Sequence, residues 1–171
     1  MNAVIIRKAT PADLDTLLRF EQGVIAAERP FDPTLKTGKI HYYDLMGMIN
    51  APDCELLVAE LGGADGTDSA DDTDSADGTA GTLIGSGYAR IEAAKHYLQH
   101  PIHAYLGFMY VEPAHRGKGV NSQIIAALTT WARSRNVTEL RLDVYHENFN
   151  AIKAYEKAGF SKNMINMRKG I

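Results

Sequence analysis

The chain has 171 residues, of which 45% are hydrophobic and 23% are charged, the balance expected of one globular domain over residues 1–171. Its formal charge of −3 argues against a nucleic-acid partner, which would favour a basic excess, and no apolar run is long enough to span a membrane. Cys54 is the only cysteine, so an internal disulfide is excluded and we expect a cytoplasmic protein.

The N-terminal part of the chain predicts a strand followed by two helices. Val4–Ile6 is a short apolar run typical of a buried strand. Thr10 and Pro11 suit an N-cap and a first helical position, and apolar residues then recur with helical spacing as far as Pro30. A second helix is predicted over Tyr42–Ile49.

Two apolar runs, Glu55–Glu60 and Leu83–Ile91, predict the strands of a hairpin. Between them, residues 62–80 contain six aspartates and no Lys or Arg. Without these aspartates the rest of the chain carries +3, which suits an anionic ligand. We expect residues 62–80 to form a mobile acidic loop at the hairpin tip, because the segment has almost no apolar side chain to bury.

The remaining pattern predicts two more strands, two helices and a final strand pair. Apolar spacing and alternation give a strand over Ala104–Val111, a helix over Val120–Trp131, a strand over Leu140–Tyr145 and a helix over Asn148–Ala158, which Gly159 ends. The order β-α-α-β-β-β-α-β-α-β predicts a mixed α/β fold built around a central sheet.

A glycine-rich turn lies between the strand that ends at Val111 and the next helix. Residues 116–119 read Arg-Gly-Lys-Gly, so the backbone can approach a ligand closely, and the free N–H groups of the helix start favour an anion such as a pyrophosphate. The spacing of a nucleotide P-loop is absent, and Ser122 stands where a dinucleotide fingerprint needs its third glycine. A glycine-rich turn without a ligand is the plainer alternative.

Two motifs together resemble the GNAT superfamily of acetyl-CoA-dependent N-acetyltransferases. VEPAHRGKGV at residues 111–120 is similar to the acyl-CoA pyrophosphate loop of that family, and ENFNAIKAYEKAGF at residues 147–160 is similar to its later helix motif. The resemblance implies the GNAT acyl-CoA N-acyltransferase fold, a central and mostly antiparallel sheet with a splayed parallel strand pair, flanked by helices. Asn121 stands where the family commonly has Gly or Ala, and its amide could donate to the phosphates or crowd them.

The resemblance also implies which residues contact acetyl-CoA, the expected co-substrate. The pantetheine arm would pair with the backbone of the strand that ends at Val111, and the pyrophosphate would lie on the N–H groups of the glycine-rich turn. Asn148 matches the residue that caps the later helix and touches the cofactor. The implied contacts are Met109, Tyr110, Val111, Arg116, Gly117, Lys118, Gly119, Val120, Asn121, Ser122, Asn148 and Tyr155.

Tyr155 matches the family's tyrosine beside the sulfur, and the resemblance implies that it is the general acid that protonates the leaving thiolate. A phenol within hydrogen-bond reach can supply that proton, and backbone N–H donors can stabilise the oxyanion formed when an amine attacks a thioester. The alternative is a core tyrosine, because Ile152 and Tyr155 share one helix face.

The sequence does not name the base that deprotonates the amine. Glu92, on the strand before Ala104–Val111, is one candidate. Glu21 and Glu28 fall on the apolar face of the first helix, where an unpaired carboxylate is costly. Since the first helices of the family wall the acceptor site, we expect Glu21 and Glu28 to bind the amine or an attached cation. An ion pair with a nearby Arg, or a frayed helix end before Pro30, is the equal alternative.

The remaining alternatives concern metals and partners. The spacing of His96, His100 and His103 fits no zinc motif, and the aspartates lack the EF-hand pattern, so we expect no metal. The leading interpretation is transfer of an acetyl group to a primary amine of a small molecule, amino acid or peptide. A catalytically silent acyl-CoA-binding or sensing module is the second and a nucleotide-binding domain the third. Family members often pair, so a homodimer is a further expectation.

Overall fold

One mixed sheet forms the centre of the protein. The computed structural model describes residues 3–62 and 81–171, and its five strands lie in the order β1-β2-β3-β4-β5. The first four pair antiparallel, and β5 runs parallel to β4, which confirms the expected mostly antiparallel sheet with one parallel pair. The strands are β1 Val4–Lys8, β2 Cys54–Leu61, β3 Thr82–Ala93, β4 Ile102–Val111 and β5 Leu140–Arg141.

Helices cover both faces of this sheet. α1 and α2 bury one apolar cluster, which includes Phe20, Leu56 and Phe108. α3 buries a second cluster on the other face, which includes Ile124 and Leu128. No helix in the described residues is both long and apolar enough to cross a membrane. The helices are α1 Leu14–Glu28, α2 Leu45–Asn50, α3 Val120–Ser134 and α4 Phe149–Lys157.

Both N-terminal helices begin later than the sequence predicts. A 3-10 turn at Pro11–Asp13 precedes α1. α2 begins at Leu45 rather than Tyr42, because the Asp44 carboxylate accepts a hydrogen bond from the Gly47 N–H (3.0 Å) and caps the helix. The preceding residues, including Tyr42, are therefore extended and available to line a site.

The predicted hairpin is confirmed, with Leu57 opposite Gly87 and Val58 opposite Ser86 across the antiparallel β2–β3 pair. The loop between the two strands, predicted over residues 62–80, lies outside the described residues apart from Gly62.

The prediction for the C-terminal end is wrong in two respects. The strand predicted over Leu140–Tyr145 ends at Arg141, because the chain leaves the edge of β4 there and loses its ladder. The final strand pair is absent from residues 160–171. Met164 and Met167, which are 84% and 89% exposed, have neither a neighbouring strand nor a buried face to stabilise a strand conformation.

Candidate active site

An opening lies between β4 and β5. The two strands pair only at Ala104–Leu140 and Tyr105–Arg141, whereas β4 continues to Val111. In the described residues no other strand pairs with β4 on that side beyond Tyr105. The backbone groups along this stretch of edge are therefore free to pair with an extended ligand, as an added strand would.

A β-bulge bends β4 at the level of this opening. Ser86 faces Tyr110 and Tyr88 faces Gly107, so β4 holds one residue more than β3 over that interval. Phe108 adopts a positive φ of 54°, and the buried Ser86 hydroxyl donates to the Phe108 carbonyl (3.1 Å). A bulge leaves one residue out of the ladder and re-aims its backbone groups, so the regular β3–β4 pairing is interrupted at the level of the opening.

The bulge also changes which face each side chain of β4 meets. Phe108 joins the cluster under α1, while Met109 joins the cluster under α3. Val111 lies with Met109, and Tyr110 packs against Phe20 of α1 with ring centroids 4.9 Å apart. The three β4 residues expected at the cofactor thus follow the bulge directly.

The glycine-rich turn connects the end of β4 to α3. Gly117 and Gly119 have φ of 74° and 82°, a left-handed backbone that favours glycine. A Cβ at either position would meet nothing within 4 Å, so the turn is open on its outer side. The Arg116 side chain folds back, with Nε donating to the Val111 carbonyl (3.0 Å).

The start of α3 presents free donors to the same space. The first helical bond runs from the Gln123 N–H to the Gly119 carbonyl (3.1 Å), so the N–H groups of Val120, Asn121 and Ser122 have no acceptor within the helix. Val120 is buried and anchors the helix start, whereas Lys118 and Ser122 are exposed. These donors, the helix dipole and the cations make an anion site.

α4 carries Tyr155 and has a defined start and end. Asn148 caps this helix by accepting from the Ala151 N–H (3.2 Å), and Gly159 ends it with φ of 96°. Tyr155 packs in the α3-side cluster with Met109 and lies edge-on to Phe160 at 6.0 Å. Burial, and after it the charge of Glu28, raise the pKa of Tyr155 to about 12, so its phenol holds a proton at neutral pH.

Glu28 ends α1 on the other side of the opening. Burial raises the pKa of its carboxyl, the Tyr42 phenol opposes that rise, and the nearby Asp32 adds to it. The hydroxyl of Tyr42 is buried and lies beside this carboxyl. The charge of Glu28 also contributes to the raised pKa of Tyr155.

Glu21 is fully buried and already has partners. One carboxylate oxygen lies 2.7 Å from His41 Nδ1, and the other accepts from the N–H groups of Tyr42 (2.6 Å) and Tyr43 (3.0 Å). The alternative of an ion pair with an Arg is not what the structure shows, because the partners of Glu21 are His41 and two backbone N–H groups. Glu21 holds the segment before α2 in place instead of facing the opening.

The structure does not bring Glu92 to the opening. It faces His103 across the β3–β4 pair, with 3.5 Å between Glu92 Oε2 and His103 Nε2. At about 3.3 Å per residue of strand, His103 lies roughly 16 Å along β4 from the bulge at Phe108. Glu92 is thus at the closed end of the β4–β5 pair and is a poor position for the base.

Comparison with known proteins identifies the family. Residues 66–160 match the model of the acetyltransferase (GNAT) family, a span that includes β3, β4, the glycine-rich turn, α3, β5 and α4. The chain belongs to the GNAT family. The fold resemblance that the two sequence motifs implied is thus shown.

Two curated GNAT relatives come from Bacillus subtilis (strain 168). The chain is 41% identical over 56 residues to the uncharacterized N-acetyltransferase YobR, covering 33% of this chain and 23% of YobR. It is 37% identical over 83 residues to the uncharacterized N-acetyltransferase YycN, covering 48% of this chain and 52% of YycN. The chain therefore matches about a quarter and about half of the lengths of these relatives.

Solved structures share the GNAT fold over nearly the whole chain. A predicted acetyltransferase from Clostridium acetobutylicum, solved with acetyl-CoA, superposes with a TM-score of 0.66 at 15% identity and covers 98% of this chain and 96% of its own. At that identity the likeness concerns the fold alone.

Sequence reasoning missed two parts of this GNAT site. The first missed part is the bulge at Phe108, which no sequence motif predicts. Its one indication in the sequence is Gly107, where a Cβ would lie 2.6 Å from the Tyr88 hydroxyl. The second missed part is the pair of aromatic residues before α2, Tyr42 and Tyr43, because the sequence predicted that both lie in the helix. Among residues 3–62 and 81–171, no group of three or more His, Cys, Asp or Glu side chains could hold a metal ion.

Proposed function

We propose that this chain transfers an acetyl group from acetyl-CoA to a primary amine of a small molecule, amino acid or peptide by direct attack. The observation that carries the proposal is the open edge of β4 between the bulge at Phe108 and the anion site at the start of α3. An extended arm ending in a pyrophosphate matches both parts. Membership of the GNAT family, which uses acetyl-CoA, supports the same substrate.

The residues at the opening fit the chemical needs of each end of acetyl-CoA. The N–H groups of residues 117–121 and the Arg116 and Lys118 charges would hold the pyrophosphate, with Ser122 beside them. The backbone of Met109, Tyr110 and Val111 would pair with the pantetheine arm, and Asn148 would lie at its edge. The space above Gly117 and Gly119, where a Cβ would meet nothing within 4 Å, leaves room for phosphate.

The acetyl transfer then needs an oxyanion site and a proton donor from the chain. The amine nitrogen forms a bond to the acetyl carbon, and backbone N–H groups at the bulge would stabilise the oxyanion that results. As the carbon–sulfur bond breaks, the Tyr155 phenol gives its proton to the thiolate. A pKa of about 12 for Tyr155 keeps this proton in place at neutral pH, so the general acid is present in its active form.

The acceptor would enter from the side of α1 and α2. Glu28 and the Tyr42 hydroxyl line that side of the opening, and a carboxylate attracts an ammonium ion. Glu21 contributes by holding the segment that carries Tyr42.

Calorimetric titration with acetyl-CoA tests the cofactor site. We expect micromolar binding by the wild type, and at least tenfold weaker binding by Gly119→Glu and by Arg116→Ala. Gly38→Glu is the matched control, because Gly38 has φ of 81° and nothing within 4 Å of an added Cβ but lies between α1 and α2. Equal binding by the wild type and Gly119→Glu would contradict the proposed phosphate site.

Turnover tests the reaction itself. Thiol release should accompany acetylation of at least one member of a panel of amino acids, short peptides, diamines and amino sugars. Acetyl-CoA binding without turnover of any panel amine would instead favour a silent acyl-CoA-binding module.

A further inference from the structure

The proposed reaction needs a group that removes a proton from the attacking ammonium, and β4 does not supply one. Its residues, Ile102–Val111, include no carboxylate, and its one histidine, His103, is buried against Glu92 at the closed end of the strand pair. The proton acceptor must therefore come from an element that reaches the opening from outside the sheet.

α1 reaches the opening because it runs antiparallel to β4. Arg19 lies 3.6 Å from Glu112, just past the end of β4. One turn later, a Cβ on Gly23 would lie 2.5 Å from the Tyr110 ring. Successive residues of the helix thus meet β4 in reverse order.

The same register brings the end of α1 to the bulge. From Gly23 to Glu28 the helix rises about 7.5 Å at about 1.5 Å per residue. From Tyr110 back to Phe108, β4 covers roughly 6.6 Å at about 3.3 Å per residue. Glu28 is therefore level with Phe108, where the bulge re-aims the backbone, whereas Glu21 lies two turns away.

Groups from several elements converge on the Glu28 carboxyl. Glu28 contributes to the raised pKa of Tyr42 before α2, of Tyr145 after β5 and of Tyr155 on α4, as it does for Tyr43. Direct contacts place the residues that follow Glu28 beside the chain after β5: the rings of Phe31 and Tyr145 stack with centroids 5.9 Å apart, and the Tyr145 hydroxyl donates to Asp32 at 3.3 Å. The end of α1 therefore lies toward the β5 side of the opening.

The charged groups near Glu28 are engaged with other residues, and the group that supports its carboxylate is the Tyr42 hydroxyl. Asp32 accepts from Arg168 Nη1 at 3.1 Å and from the Tyr145 hydroxyl at 3.3 Å. Arg29 donates to the carbonyls of residues 36 and 38 (2.8 and 2.6 Å). The described contacts thus assign both nearby cations elsewhere.

We infer that Glu28 is the general base of the proposed acetyl transfer. Resting on that proposed function, the step is balanced as follows. An N–H bond of the ammonium breaks and its proton goes to the Glu28 carboxylate, and the freed nitrogen pair forms the bond to the acetyl carbon. The carbon–sulfur bond breaks as Tyr155 protonates the sulfur, and the nitrogen loses its second proton to solvent, which leaves a neutral amide. Tyr155 regains one proton from solvent and Glu28 releases one to it, so the net release is one proton. Burial and Asp32, which raise the pKa of Glu28, make its carboxylate a better proton acceptor.

The test compares Glu28→Gln with the wild type on the panel amine that the wild type acetylates fastest. We expect kcat to fall by about 100-fold or more, while the acetyl-CoA Kd stays within about twofold. For the variant, log kcat should rise with pH at unit slope up to the pKa of the amine itself, because only the free amine can react. The wild type should instead reach a plateau above the pKa of Glu28.

Three further variants separate a base from a structural residue. Glu28→Asp keeps a carboxylate and should keep the plateau with a smaller loss of kcat, which also provides a readout if Glu28→Gln folds poorly. Glu55→Gln is the matched control, since Glu55 pairs with Lys8 at 3.7 Å away from the opening. Glu92→Gln tests the competing position and should leave kcat unchanged.

The outcomes distinguish this inference from the proposed function. A kcat for Glu28→Gln within about threefold of wild type, with the same pH profile, would overturn the role of Glu28 while acetyl transfer stands. Loss of the plateau in Glu92→Gln alone would also overturn it. If the wild type acetylates no panel amine, the proposed function fails and the inference falls with it.

Discussion

The charge of Glu28, at the end of α1, contributes to the raised pKa of Tyr155 on α4. Burial is the larger cause, and the two together raise that pKa to about 12. The helix that carries Glu28 buries the apolar cluster on one face of the sheet, whereas Tyr155 packs against the cluster on the other face. In the proposed reaction Glu28 accepts a proton from the amine and Tyr155 donates one to the thiolate.

Replacing Tyr155 by Phe should slow acetyl transfer by about 100-fold or more in kcat, because the leaving thiolate loses its proton donor. The ring would still pack against Phe160, so the acetyl-CoA Kd and the unfolding midpoint should change little. Steady-state thiol release and calorimetry measure these quantities. Tyr97→Phe is the control, since Tyr97 is 66% exposed on the β3–β4 connection. An unchanged kcat for Tyr155→Phe would contradict the acid role.

Replacing Ser86 by Ala should disturb the bulge. The variant loses the buried hydrogen bond to the Phe108 carbonyl (3.1 Å), which should lower the free energy of unfolding by about 1 kcal/mol. Because the bulge positions the oxyanion donors, kcat should fall more than acetyl-CoA affinity. Ser134→Ala removes a comparable bond to the Trp131 carbonyl (2.7 Å) at the exposed end of α3 and should leave kcat unchanged. A similar kcat for both variants would count against the bulge as an oxyanion site.

Replacing Glu21 by Gln should act on stability first. The amide cannot accept from His41, Tyr42 and Tyr43 together, so we expect a loss of about 1.5–3 kcal/mol in the free energy of unfolding. The acceptor KM should rise as the segment with Tyr42 loosens, while the acetyl-CoA Kd stays constant. Chemical denaturation and kinetics measure both. His41→Ala leaves two of the three bonds and should cost less stability; a larger loss for His41→Ala would show that Glu21 is not the centre of this contact.

Replacing Asp32 by Asn should destabilise the protein only where the carboxylate is charged. The Thr34 hydroxyl, then Arg168 and the Thr34 N–H, lower the pKa of Asp32 from 3.8 to about 2. A lowered folded-state pKa contributes stability above the unfolded value, and that contribution is lost as the pH falls toward 2. The unfolding midpoint of Asp32→Asn should therefore lie below that of wild type at pH 7.

Thermal unfolding at several pH values between 7 and 2 measures this difference. The difference in unfolding midpoint between wild type and Asp32→Asn should shrink as the pH falls below 4, because the Asp32 carboxyl of the unfolded chain is protonated at a higher pH than that of the folded chain. Arg168→Ala should show part of the same dependence, because it removes one of the groups that hold the charge. A difference between wild type and Asp32→Asn that stays constant with pH would contradict the assignment.

Local patterns in the sequence were enough for most elements and for the anion site. The strand, the glycines at 117 and 119 and the start of α3 are consecutive, so their geometry follows from backbone rules that act over a few residues. The same holds for Asn148 and Gly159 at the ends of α4. The start of α2 was predicted wrongly, because the apolar pattern extends back to Tyr42. The side chain of Asp44 caps the helix and makes it begin at Leu45.

The sequence by itself determined the family, the order of β1 to α4 and the positions of the glycine-rich turn and Tyr155, because each depends on a short stretch of consecutive residues. Only the tertiary structure decided that β5 ends at Arg141, that β4 bulges at Phe108 and that Glu92 lies beside His103 at the closed end of the β4–β5 pair. Strand register and the partner of a carboxylate depend on residues far apart in the chain, so no local spacing specifies them.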